Sequence, residues 1–324
     1  MARIGEAEML KIREFVRDRD EQTWVSVLNA AYGKFRDWRT ITVEEHFKEG
    51  SGSDLAFEGR WMAELNGLPA GTIRAFIQAG QSKRKGQIED LGVAPEFVGL
   101  GVEEKLAELA TDQLRQQDVE TILVPRLRWS DPGGDGVEFL EKLGFSLIRQ
   151  ISLMEMDLAK TPTGVASNRE VAIRPLRENA EEDVQKLNWL RNQCSKGYFN
   201  YRPSTIEETR YFLQNNPYSW LGAFFATLND DSVGFSVLAI DEKYNTERNV
   251  KAGIILAIGV LENHRKAGIG TKLVLHGLKV LRDQKMIRAV LDVDDLNQTG
   301  AMRLYEKIGF EVVEKYSTYE KSYS

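Results

Sequence analysis

Arg265, Lys266, Gly268, Gly270 and Thr271 follow the apolar run Ile254-Ile255-Leu256-Ala257-Ile258-Gly259-Val260 and open an amphipathic segment that starts at Lys272. Glycines at such a turn let the backbone bend sharply and approach a ligand closely. The unpaired N–H groups of a helix start, with the positive end of its dipole, favour phosphate oxygens. Arg265 adds a planar donor and Lys266 and Lys272 add charge, in a stretch that also holds His264, Lys279, Arg282, Lys285 and Arg288. The chemistry these residues suggest is the cradling of a phosphate. The third glycine and later acid of a dinucleotide fingerprint are missing, and so is the Gly-Lys-Ser/Thr of nucleotide hydrolases. Further on stands Tyr305, a phenol whose ordinary pKa of about 10 suits it to protonate a leaving group. Asn297 can tie down the loop before the same helix. The plainer alternatives are a glycine turn that holds nothing and an aromatic ring that only packs.

With Asn297, Ala301, Leu304, Tyr305, Glu306, Lys307, Gly309 and Phe310 added, the stretch resembles the Gcn5-related N-acetyltransferase (GNAT) family. Arg265, Gly268 and Gly270 match the family's loop, and the later residues match its closing helix. The resemblance implies acetyl-CoA as co-substrate; the residues themselves show no metal site. It implies that Arg265, Lys266, Ala267, Gly268, Ile269, Gly270 and Thr271 cradle the coenzyme A pyrophosphate. Backbone groups of Ile258, Gly259 and Val260 would hold the pantetheine and the acetyl carbonyl, with Asn297 near the coenzyme and Tyr305 near the thioester sulfur as catalytic acid. An amine, on a small molecule or a peptide, would attack the carbonyl directly in a ternary complex. Fixed backbone donors suit the oxyanion that develops. A non-catalytic acyl-CoA-binding module is the alternative. The general base stays open, because Gly253 to Val260 carries no acid; Glu262, His264, Asp241 and Glu242 are nearest in sequence, and water alone is a further candidate. The aromatics of Ser195 to Pro203 could cover an amine or cap the core. Asp241 and Glu242 could attract a cationic acceptor, and Tyr316 and Tyr319 could line its cleft.

These residues need strands and helices to hold them, and the pattern supplies them twice. Met9 to Phe15, Arg60 to Glu64, Gly71 to Ile77, Ile88 to Val93 and Val119 to Pro125 read as strands, with Asn66-Gly67 as a hairpin turn. Helices are expected over Asp20 to Ala31, Thr42 to Lys48, Val102 to Gln116 and Gly136 to Leu143, the second opened by a Thr42/Glu45 capping box. Residues 161–169 read as a linker. The pattern then restarts: Ile173-Arg174 answers Ile12-Arg13, Gly259-Val260 answers Gly92-Val93, and Glu306-Lys307-Ile308-Gly309-Phe310 answers Glu141-Lys142-Leu143-Gly144-Phe145. The expected fold is α/β, two tandem GNAT domains, each a mixed, mostly antiparallel sheet flanked by helices. Residues 1–160 form a degenerate N-terminal domain and 170–324 the catalytic one. In the first half Val98 falls at Arg265, Gly101 at Gly268, Glu103 at Gly270, Pro132 at Asn297 and Leu140 at Tyr305, so guanidinium and phenol are lost and a carboxylate enters the loop.

Composition narrows the partners. A net charge of −6 without a long basic run disfavours nucleic acid and membrane surfaces. The one cysteine, Cys194, forbids an internal disulfide and fits a reducing cytoplasm. His46, His264 and His276 are not at ligand spacing. The N-terminus has no apolar signal core and no run is long enough to span a bilayer, so a cytoplasmic protein is expected.

Overall fold

A computed structural model describes residues 9–47, 55–79, 84–127, 138–162, 170–177, 180–214 and 218–323. In chain order the elements begin with β1 (Leu10–Glu14), α1 (Glu21–Tyr32), α2 (Val43–Phe47), β2 (Leu55–Leu65), β3 (Leu68–Gln78), β4 (Lys85–Val93), α3 (Val102–Arg115), β5 (Thr121–Leu127), α4 (Glu138–Lys142) and β6 (Ser146–Asp157). They continue with β7 (Ala172–Pro175), α5 (Glu181–Ser195), α6 (Ile206–Gln214), β8 (Ser219–Leu228), β9 (Asp231–Ile240), α7 (Glu242–Arg248), β10 (Ala252–Val260), α8 (Ile269–Asp283), β11 (Arg288–Asp294), α9 (Ala301–Ile308) and β12 (Glu311–Ser322). The chain divides into two units, Met1–Gln150 with Tyr316–Ser324, and Ile151–Lys315.

In the first unit the strand order is β1-β2-β3-β4-β5-β12. All pairs are antiparallel except β4 with β5. The β2–β3 turn places Asn66 and Gly67 at φ 53° and 81°, the left-handed pair that matches the twist of a tight hairpin. Trp24, Val25, Leu28 and Ala31 of α1, spaced for one helical face, are all buried. The expected capping box closes α2: Thr42 N donates to Glu45 Oε2 at 2.8 Å, and Glu45 N to Thr42 Oγ1 at 3.2 Å. A core of Ile73, Leu91, Leu106, Leu114, Ile122 and Leu140 lies between the sheet and α3.

The second unit repeats the plan with the order β6-β11-β10-β9-β8-β7, again antiparallel except for β10 with β11. Its main core joins Leu238, Ile255, Val274, Leu278 and Leu291 to Tyr305, Ile308 and Phe310.

The last strand of each sheet departs from the division at 160 and 170. Ile151 to Asp157 of β6 pair with β11, and Ser317 to Ser322 of β12 pair with β5. Linker composition marks a break in local pattern, not the partner a strand chooses. Tyr319 therefore packs in the core of the first unit instead of lining an acceptor cleft, and Tyr316 is buried. Residues 163–169 of the expected linker, and the loop holding Pro132, lie outside the described residues. Helices α6 and α7 were not expected from the sequence pattern.

Candidate functional site

β10 and β11 pair in parallel only from Ala252↔Arg288 to Ile254↔Val290. Just beyond, the pairing of β10 with β9 shifts register between Ile255 and Ala257. A bulge of this kind bends the strand and breaks the ladder. Past Ile254 the two strands part, and a cavity of about 500 Å³ opens between Ile255 to Val260 on one side and Leu291 to Asp294 on the other. The β11-facing backbone groups of that part of β10 are left without a ladder partner. Buried amide groups must be satisfied, so this edge is suited to a ligand that itself carries amides.

The loop below β10 is built by conformation as much as by composition. Gly268 caps α8 at φ 77°, and Lys266 is left-handed at φ 62°, which costs a side-chain-bearing residue about 1–2 kcal/mol. Strain of that kind gathers at ligand loops. At Gly259 a Cβ would stand 2.4 Å from the Phe235 ring and 2.8 Å from the Cys194 Cβ, so a side chain there would force β9 or α5 away. At Gly270 a Cβ would approach Leu304 to 3.3 Å. Arg265 donates from Nε to the Val260 carbonyl at 3.0 Å and from Nη2 to that of Cys194 at 3.4 Å, which pins the loop to the end of β10 and to α5.

The structure brings Ile258, Gly259, Val260, Arg265, Lys266, Gly268, Gly270, Thr271, Asn297 and Tyr305 to one cavity wall. Ala267 is not part of that wall, and the Ile269 side chain points instead into a core with Leu273, Val171 and Val233. Asn297 Oδ1 accepts from the backbone N–H of Thr299 at 2.8 Å and from its hydroxyl, so the side chain holds the turn before α9. Tyr305, on α9, is 8% exposed. Burial first, then the neighbouring Tyr198, pushes its phenol up to about 12. It therefore keeps its proton across the neutral range. Among the described residues no group of three or more His, Cys, Asp or Glu side chains is placed to hold a metal, and no helix is long and apolar enough to cross a membrane.

The acetyltransferase (GNAT) family model matches residues 16–145 and again 184–310. The chain belongs to this family. A mycothiol acetyltransferase of Acidothermus cellulolyticus is 26% identical over 238 residues, 68% of this chain and 67% of that relative. An N-alpha-acetyltransferase 50 of Danio rerio is 33% identical over 100 residues, 31% of this chain and 56% of that relative. Among solved structures, a GCN5-related N-acetyltransferase from Sphaerobacter thermophilus shares the fold at TM-score 0.68 and 20% identity, covering 97% of this chain and 95% of its own. A tandem GNAT protein from the clavulanic acid biosynthesis pathway does so at TM-score 0.68 and 16% identity, covering 97% and 98%. The chain thus carries two GNAT units in tandem.

Within this GNAT site the acids differ from those nearest in sequence. Asp292 and Asp294 line the cavity, whereas Glu262, His264, Asp241 and Glu242 are not among its lining residues. Asp241 instead caps α7, accepting from Tyr244 N at 2.9 Å. The signal for the two aspartates was present. Alternation along Val290-Leu291-Asp292-Val293-Asp294 sends Leu291 and Val293 into the core, and so both acids to the other face. Of the aromatics between Ser195 and Pro203, only Tyr198 reaches the cavity wall.

Proposed function

We propose that this GNAT protein transfers an acetyl group from acetyl-CoA to a primary amine, of a small molecule or a peptide, by direct attack. The observation that carries the reading is the parting of β10 from β11 directly above a left-handed glycine cap, with the Tyr305 phenol in the same cavity. The cavity wall fits acetyl-CoA: unpaired backbone along an apolar strand for amide groups, and open N–H groups at a helix start for phosphates. Arg265, Lys266, Gly268, Gly270 and Thr271 would hold the pyrophosphate, and Ile258, Gly259 and Val260 the pantetheine. When bound, acetyl-CoA supplies the acyl group and the thiolate leaving group.

The chain's own residues do the rest. Backbone N–H groups of β10, fixed before reaction, stabilise negative charge on the acyl oxygen. Tyr305 gives its proton at the departing sulfur. The burial that raises its pKa also raises the proton affinity of a thiolate beside it, which keeps the two matched. Asp292 or Asp294, directly or through water, takes the proton of the attacking amine. The test is release of free thiol from acetyl-CoA across a panel of primary amines. The expected outcome is turnover with at least one amine and loss of most of it in Tyr305→Phe. Binding of acetyl-CoA with no thiol release from any amine would replace the enzyme by a non-catalytic acyl-CoA-binding module.

A further inference from the structure

Arg191 has no role in the chemistry above, yet it lines the same cavity, on α5 just before Cys194, Ser195 and Tyr198. Two contacts hold it. Its Nη1 donates to the Thr209 hydroxyl at 3.3 Å, and its guanidinium carbon stands 4.6 Å from the centre of the Phe212 ring. Among the described residues no carboxylate pairs with it. The nearest acid in sequence to that contact, Glu208, is engaged by both terminal nitrogens of Arg202, at 2.7 and 3.1 Å, and by the N–H of Thr205 at 2.8 Å. Burial draws the Arg191 pKa below its usual value, with Glu208 opposing. A guanidinium taken out of water without a counter-charge is costly, and its free donors in a cavity suit the planar fork of a carboxylate.

The same cavity is also lined by the complementary sign, Asp292 and Asp294 on β11. A zwitterion bound in it finds both a cation and anions in one cavity lining. We infer that the acceptor is an amino acid or similar zwitterion, its carboxylate held by Arg191 and its amine turned toward Asp292 and Asp294. Arg191 is then the residue that determines acceptor specificity, and this rests on the acetyl-transfer reading for the identity of the amine as nucleophile.

The experiment pairs each acid with its decarboxylated amine: glycine with methylamine, β-alanine with ethylamine, 4-aminobutyrate with propylamine. Thiol release from acetyl-CoA is measured for the wild type, Arg191→Gln and Arg191→Lys. The expected result is at least tenfold higher kcat/KM for one acid over its amine. Arg191→Gln should abolish that preference and Arg191→Lys should keep part of it, both with the wild-type KM for acetyl-CoA and wild-type melting temperature. Equal use of acid and amine, or a rise in the acetyl-CoA KM in place of lost preference, overturns the inference. Calorimetric titration of the same acids into protein saturated with coenzyme A reads binding without turnover. Binding that Arg191→Gln removes, with no acetyl transfer, upholds the anion site and sinks the reading it rests on. Transfer to propylamine as fast as to 4-aminobutyrate does the reverse.

Discussion

The loop after β4 and the loop after β10 have the same backbone and opposite electrostatics. Ala94 N bonds the Ala70 carbonyl in one, and Leu261 N bonds that of Val233 in the other, both at 2.9 Å. Gly99 and Lys266 are both left-handed, at φ 81° and 62°. Gly101 and Gly268 cap the following helices at φ 78° and 77°. The difference lies two residues into the cap. Glu103, 8% exposed, turns back so that its Oε1 accepts from Gly99 N at 3.0 Å, and its other oxygen has no hydrogen-bond partner among the described residues. Gly270 has no side chain to do the same. The fold builds the same turn in both units. In the first unit the protein's own carboxylate occupies it; in the second no such side chain does, and on the proposed reading a phosphate takes that place. Leu140, buried in the first core, completes the contrast, since it stands where the second unit has Tyr305.

The sharpest way to break this comparison is at the phenol. Tyr305→Phe keeps the ring and removes the proton, and kcat should fall by about 10²–10⁴-fold, the usual worth of a positioned acid. Leu140→Met in the first unit should leave turnover unchanged, at a stability cost under about 1.5 kcal/mol. A Tyr305→Phe enzyme at the wild-type rate, or a Leu140→Met enzyme that loses activity, would remove the division of labour between the units. The next largest effect should come from moving the carboxylate. Gly270→Glu recreates in the second unit the arrangement of Glu103. Like charge beside a phosphate costs several kcal/mol, so acetyl-CoA should bind about 10²-fold more weakly by calorimetry. Unchanged affinity would mean that Glu103 is not what closes the first loop.

The parts of the site that the sequence made legible are those written within a few residues of one another. The glycine turn from Arg265 to Thr271, the Asn297 cap and the phenol on the last helix all lie on local patterns. So do the Thr42/Glu45 box and the Asn66-Gly67 turn. What escaped depends on pairing across long separations. Nothing in Ile151 to Asp157 names β11 as its partner, nor does Ser317 to Ser322 name β5. The parting of β10 and β11 is a matter of register, invisible in an apolar run. Arg191 is far in sequence from Asp292 and Asp294, and only the fold brings it to the same cavity. Helix α6 did carry a readable start: Thr205 N donates to Glu208 Oε2 at 2.8 Å and Glu208 N to Thr205 Oγ1 at 3.1 Å, another capping box.

Where the two units agree, the comparison predicts equal effects. Each fastens its first strand to its first helix with the same buried pair. Arg13 Nη1 stands 2.6 Å from Asp20 Oδ2 and Arg174 Nη1 stands 2.9 Å from Asp183 Oδ2, the two carboxylates 5% and 1% exposed. A backbone donor joins each, Val16 N at 2.7 Å and Arg177 N at 3.0 Å. Burial works against the charge on both aspartates, but the arginine hydrogen bonds outweigh it and hold both carboxyls well below the usual range. A carboxyl with a depressed folded pKa binds its proton more readily in the unfolded chain, at about 3.9. Its contribution is therefore complete above that value and drains away as pH falls through it toward the folded pKa. Asp20→Asn and Asp183→Asn should each cost about 2 kcal/mol at pH 7, measured by denaturant midpoint, and each should flatten the loss of stability between about pH 4 and pH 2. Hydrogen exchange should register the first change in the amides of the first unit and the second in those of the second. If Asp183→Asn matters and Asp20→Asn does not, the first unit has lost its structural lock along with its phenol, and the two units differ in more than their site.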